Sequence, residues 1–313
     1  MSTVKNYLSL IKFSHTIFAM PFAMIGFFLG YDALKKECPN GAWWGKVQDL
    51  PSDKIAVIEK LSQRPALLVL GLVILCMIFA RSAAMAFNRY LDRNFDAKNP
   101  RTAIREIPKG IISAKSALIF TIISCVLFIA TCFLINRICF YLSPVALFVV
   151  LFYSYTKRFT PLCHLVLGIG LSLAPIGAYL AVTGAFALLP ILFSFTVIFW
   201  VSGFDIIYAL QDEEFDKSNQ LYSMPSWLGK AKALRVSEVL HLLSFICVVS
   251  AGMLGQFGLW YWIGVAVFAG MLIYQHSIVK PNDLSKVNLA FMTANGIASV
   301  VFAVFVILDL FLH

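Results

Sequence analysis

Residues 66–96 read ALLVLGLVILCMIFARSAAMAFNRYLDRNFD. The first two-thirds is a run of about twenty apolar residues, the length a helix needs to cross a bilayer. It passes straight into a polar end where Asn88, Asp92 and Asp96 recur at spacings of four and four. Helical periodicity puts those three on one face, a turn apart. Arg81, seven residues before Asn88, falls on the same side. The stretch therefore predicts a membrane helix that gathers carboxylates at its end.

Similar apolar runs occur at about 13–31, 113–136, 138–156, 161–182, 187–210, 232–255, 257–277 and 288–312. With 66–87 they predict nine transmembrane helices, an all-α polytopic membrane protein and a single domain over 1–313. The first run is long enough to span and is read as a retained helix, with a possible kink at Pro21. Residues 32–65 form a long extramembrane insert. The composition agrees: 60% of the chain is hydrophobic and only 13% charged, against about 25% charged in soluble domains. Soluble, disordered and fibrous classes are excluded.

The net charge is +9. In a soluble protein that would suggest nucleic acid; here the positive-inside rule accounts for it and no nucleic-acid partner is expected. The N-terminus and the loops after the second, fourth, sixth and eighth helices hold seventeen Lys and Arg, whereas the short loops between hold only Arg137. A cytoplasmic N-terminus and cytoplasmic basic loops follow.

A second polar cluster ends the sixth helix, in GFDIIYALQDEEFD at 203–216. Asp205, Asp212 and Asp216 are spaced seven and four, and Tyr208 joins their face. Both clusters end cytoplasmic-side helices and can meet at one depth. Carboxylates so gathered repel unless a cation intervenes. Oxygen-only ligands favour a hard ion such as Mg²⁺ or Ca²⁺, and Mg²⁺ takes one or two carboxylates plus substrate phosphates. A diphosphate clamped by metal, with metal neutralising the charge on its departure, is the expected chemistry. Basic groups flank the carboxylates: Arg101 and Arg105 in one loop, and Tyr153, Lys157 and Arg158 in YSYTKRFTP at 153–161. The competing reading of each cluster is an ordinary solvated helix end. A transporter is the rival of another class, because carboxylates within membranes also mark ion pathways.

At these residues the chain resembles the UbiA superfamily of membrane prenyltransferases, whose pattern is N-D-x-x-D-x-x-x-D, Y-x-x-x-K and D-x-x-x-D. Asn88, Asp92 and Asp96 match the first motif, Tyr153 and Lys157 the second, Asp212 and Asp216 the third. DIIYALQDEEFD at 205–216, NPRTAIREIPKG at 99–110 and IKFSHTIFAMPFA at 11–23 are similar to the branch that acts on aromatic acids, the 4-hydroxybenzoate polyprenyltransferase-like branch. One departure is Arg89, where the family has a second Asp.

The resemblance implies a UbiA-like helix bundle in the bacterial inner membrane. It implies transfer of a polyprenyl group from an allylic polyprenyl diphosphate to the ring of a hydroxylated aromatic acid, for quinone biosynthesis. Asn88, Asp92, Asp96, Asp212 and Asp216 would hold Mg²⁺. Lys157, Arg158 and Arg101 or Arg105 would add charge at the diphosphate, and one of those two arginines would hold the acceptor's carboxylate. Tyr153, Tyr155 and Tyr208 would face the allylic cation. Asp205 would act as base or order Tyr208. The acceptor is 4-hydroxybenzoate or, as Arg89 suggests, 1,4-dihydroxy-6-naphthoate. No obligate protein partner is inferred.

The remaining polar residues carry blander expectations. Cys125, Cys132 and Cys139, seven apart, read as one apolar helix stripe. His15 is a substrate candidate; His164, His241, His276 and His313 read as fillers. Trp43 and Trp44 read as a surface anchor, and Asp309 as a group reaching the outer interface.

Overall fold

The computed structural model describes residues 3–11, 18–37 and 65–313. His15, Trp43, Trp44 and most of the 32–65 insert lie outside the described residues. Short α1 (Thr3–Leu10) precedes α2 (Met20–Glu37). Then come α3 (Ala66–Lys98), α4 (Ala114–Ile135), α5 (Arg137–Thr156), α6 (Cys163–Thr183) and α7 (Leu188–Ala209). A 3₁₀ turn (Leu210–Asp212) leads to α8 (Glu213–Ser218), α9 (Met224–Leu228), α10 (Lys230–Leu254) and α11 (Leu259–Ile278). A π-helical segment (Leu289–Ala294) runs into α12 (Asn295–Leu312). Among the described residues, 8 helical segments are long and apolar enough to cross a membrane. The first expected span differs: α2 starts later than residue 13 and continues through Glu37, and its charged last turn keeps it out of that set.

Neighbouring helices pack in sequence order from α3 to α7; α10 packs on α7, α12 on α11, and α2 lies against α6 and α12. With lipid outside, the helices associate through close packing rather than burial from water. Gly26 of α2 illustrates this: a Cβ there would sit 2.0 Å from the carbonyl oxygen of Pro175 in α6. Trp200, Phe22, Phe193, Phe268 and Phe302 fill the centre, fully buried. Large side chains such as Phe133, Tyr141, Phe148 and Ile273 face outward, an apolar surface that suits lipid and not water.

Three local features place the site. At 33 residues, α3 is about 50 Å long, well beyond the roughly 30 Å hydrocarbon thickness, so its polar last turns reach the rim. Asn136 alone joins α4 to α5: its backbone N–H closes α4 on Cys132, and its side chain accepts from the Cys139 N–H at 2.8 Å. Cys139 therefore lies on α5 and not on a single stripe with Cys125 and Cys132; instead Cys76 and Cys132 sulfurs meet across α3 and α4 at 3.7 Å. Asp309 corrects another expectation. It is fully buried and accepts from the Gly258 and Tyr261 N–H groups at 2.7 and 3.2 Å, satisfying the free donors that begin α11.

Candidate active site

One cavity of about 630 Å³ runs through the bundle. Its polar end is formed by the last turns of α3, α5 and α7 and the first turn of α6; its other end is apolar, with Ile135, Leu142, Ala178 and Phe186. Asn88, Asp92, Asp96, Arg101, Arg105, Tyr153, Lys157, Arg158, Asp205, Tyr208 and Asp212 all line it. Eleven of the twelve expected site residues thus share one chamber.

Asp92, Asp96, Asp212 and Asp216 each have an Arg or Lys partner. Arg101 forks onto Asp212, Nε to Oδ1 at 3.0 Å, and its third nitrogen donates to the Tyr208 hydroxyl at 2.9 Å. Asn99 donates to the same Asp212 oxygen at 3.1 Å. Arg105 donates to Asp96 at 2.6 Å, and buried Arg89 stands 3.9 Å from its other oxygen. Arg158 donates to Asp92 at 2.8 Å, while Asn88 reaches Asp92 at 3.0 Å across one helical turn. The sequence reading gives the acceptor's carboxylate to Arg101 or Arg105, but in the structure both arginines hold aspartates. Burial alone would lower the Arg101 guanidinium, but the Asp212 fork outweighs it and holds the group above its ordinary range.

Asp216 is the exception. It is fully buried and does not line the cavity. It accepts from the Ser223 hydroxyl at 2.8 Å and pairs with Lys157 at 2.8 Å, so it meets the chamber only through that lysine. The reason is the 3₁₀ turn at 210–212: at 3.0 residues per turn it adds about 60° of rotation over three residues relative to an α-helix, and the expected single face is broken. Burial would lower the Lys157 ammonium too, and Asp216 more than offsets it, leaving Lys157 above its ordinary range and charged.

The aromatic groups divide. Tyr153 and Tyr208 line the cavity, and Tyr208 packs on Phe291 at 4.2 Å. Tyr155 lies outside the lining, against Phe87. Phe291 belongs to the π segment, whose loosened carbonyls at 290 and 291 are both taken by the Asn295 side chain. Among the described residues Asp205 makes no hydrogen bond to Tyr208; it binds His164, which the sequence reads as a filler, at 2.7 Å. Neither His164 nor Phe291 carried a spacing signal, because each enters the site from another helix.

The pattern of the UbiA prenyltransferase family matches residues 58–297. The chain belongs to that family. This UbiA prenyltransferase is 28% identical over 238 residues to 4-hydroxybenzoate octaprenyltransferase of Aeromonas salmonicida, covering 76% of this chain and 82% of that protein. It is 30% identical over 239 residues to the protein of the same name from Nitrosomonas europaea, with the same coverage of 76% and 82%. The apo structure of a UbiA homolog from Aeropyrum pernix superposes with a TM-score of 0.70 at 25% identity, covering 95% of this chain and 97% of that one. A UbiA homolog from Archaeoglobus fulgidus bound to DMAPP and Mg²⁺ shares the fold, with a TM-score of 0.64 at 20% identity over 98% of this chain and 100% of that one. The membrane class and the helix bundle expected from sequence hold, and the enzyme reading displaces the transporter.

Proposed function

We propose that this prenyltransferase moves a polyprenyl group from an allylic polyprenyl diphosphate to the ring of a hydroxylated aromatic acid, 4-hydroxybenzoate or a close analogue. The supporting observation is the chamber itself: carboxylates from α3, α7 and the turn after α7, with six Arg and Lys side chains among them, close one end of a cavity that is otherwise apolar. The relatives named for 4-hydroxybenzoate support the acceptor.

The donor set fits Mg²⁺. All candidate ligands are oxygens, and buried Asp96 Oδ2 has no hydrogen-bond partner. Among the described residues no three acidic, His or Cys side chains stand close enough to hold an ion unaided. That suits an ion taking one or two carboxylates and completing its shell with phosphate and water. Asn88 and one or two of Asp92, Asp96 and Asp212 would supply the protein ligands, while Asp216 stands behind Lys157. When bound, Mg²⁺ neutralises charge on the departing diphosphate.

The chain's own groups do the rest. Arg101, Arg105, Lys157 and Arg158 bind phosphate oxygens, releasing the aspartates they now hold. The loss of diphosphate leaves an allylic cation, and the faces of Tyr153 and Tyr208 stabilise it. The apolar chamber takes the polyprenyl tail and excludes water that would quench the cation. The protein would lie in a bacterial inner membrane with its N-terminus and this polar end cytoplasmic.

The test is prenyl transfer by membranes of an expressing host that lacks its own enzyme, given Mg²⁺, an allylic polyprenyl diphosphate and a labelled acid. Lipid-extractable label from 4-hydroxybenzoate is expected. Label only from 1,4-dihydroxy-6-naphthoate keeps the reaction and moves the acceptor to menaquinone synthesis. No label from either, with folded protein present, overturns the proposal.

A further inference from the structure

The geometry points to a proton-accepting dyad on the cavity wall, Asp205 with His164, that takes the ring proton released after prenyl transfer. The inference rests on the aromatic acceptor proposed above. His164 sits in the first turn of α6 and is 3% exposed. Its Nδ1 lies 2.7 Å from Asp205 Oδ2, and its Nε2 lies 3.3 Å from the Met224 backbone nitrogen. A backbone N–H can only donate, so Nε2 is the acceptor there. The proton of a neutral ring is then on Nδ1, aimed at Asp205. The imidazole is locked in one tautomer and one orientation by α9 behind it. Met224, which locks it, is itself buried.

The carboxylate it holds is open on its other side. Asp205 is one-quarter exposed and lines the chamber. Among the described residues its Oδ1 makes no hydrogen bond. It stands seven residues before Asp212 on the helix, about 10 Å deeper along the axis. That is the depth at which the reacting carbons belong, since the allylic C1 points from the diphosphate towards the apolar end.

The step balances as follows. The C1–oxygen bond breaks and its electron pair leaves with diphosphate. A ring carbon ortho to the hydroxyl supplies the pair for the new C–C bond. The ring then loses its ortho hydrogen as a proton to Asp205 Oδ1, the C–H pair restores aromaticity, and the carboxyl group later passes the proton to diphosphate or water. Asp205 touches the reacting atom; His164 is a positioning residue that keeps Oδ1 turned into the chamber. In a water-poor cavity the proton needs a named acceptor, and a positioned base typically contributes about 10²–10⁴-fold.

The experiment uses the full-length protein and whichever acid wild-type protein prenylates, with deuterium at its ring positions ortho to the hydroxyl. Wild-type protein is expected to show an isotope effect near unity, because ring attack and ionisation limit the rate. Asp205→Asn is expected to lower kcat about 10²-fold and to raise the isotope effect clearly above unity, as proton loss becomes limiting. His164→Leu should move both quantities the same way by less, and His164→Gln, which can still donate to Asp205 and accept from Met224, should restore them. These two variants carry the test if Asp205→Asn does not fold. An isotope effect that stays at unity in the slowed, folded variants overturns the dyad and leaves diphosphate as the proton acceptor. Wild-type activity with unchanged Asp205→Asn kinetics also overturns the dyad alone, whereas wild-type protein that prenylates neither acid overturns the function with it.

Discussion

At the scale of the residue, the candidate site is a set of ion pairs, which the proposed function requires to change partners. Every cavity-lining aspartate except Asp205 is held by an arginine. Removing a carboxylate should cost transition-state stabilisation more than folding, because the arginines left behind, Arg158 and Arg101, are partly exposed and can be solvated. Asp92→Asn and Asp212→Asn are each expected to lower prenyl transfer by at least about 10²–10³-fold while eluting as intact protein in detergent; near-wild-type rates in both would refute the clamp. Lys157 is different, since its partner Asp216 is fully buried. Lys157→Gln leaves that charge uncompensated and should destabilise the protein by about 3 kcal/mol, the low end for a broken buried pair because the lysine is partly solvated. Thermal unfolding reads this, and adding Asp216→Asn should recover part of the loss.

At the scale of the element, α3 and the α7–α8 junction do the most to build the site. The four-residue spacing of Asn88, Asp92 and Asp96 was legible because α3 continues unbroken through them. The spacing of Asp205, Asp212 and Asp216 was not, because hydrogen-bonding pattern changes at Leu210 and periodicity cannot announce a 3₁₀ turn. The Cys125–Cys132–Cys139 stripe failed for a similar reason: Asn136 ends one helix and starts the next. The contact of α2 with α6 makes a prediction at this scale. Gly26→Ala places a methyl against the Pro175 carbonyl, so α2 must move outward. The variant should lose about 1–3 kcal/mol by overpacking, and a melting temperature equal to wild type would count against the packing described.

At the scale of the whole molecule, one chamber spans polar and apolar ends, matching a substrate that is charged at its head and hydrocarbon along its tail. The proposed metal dependence belongs at this scale, since the proposed ligands come from helices far apart in sequence. Activity should vanish in excess EDTA and return with Mg²⁺ or Mn²⁺; full activity in EDTA would contradict the assignment. Diphosphate binding, measured by thermal stabilisation, should weaken in parallel.

The sequence by itself determined the membrane class, the helix bundle and the shared face of Asn88, Asp92 and Asp96, because apolar length and helical period are local properties. Only the tertiary structure decided which cation holds which aspartate, that Asp216 sits behind Lys157, that Asp309 is a buried cap, and that His164 partners Asp205. Each of those depends on groups from different helices meeting within about 3 Å, the range of a hydrogen bond, and no spacing along one chain segment encodes which helices will be neighbours.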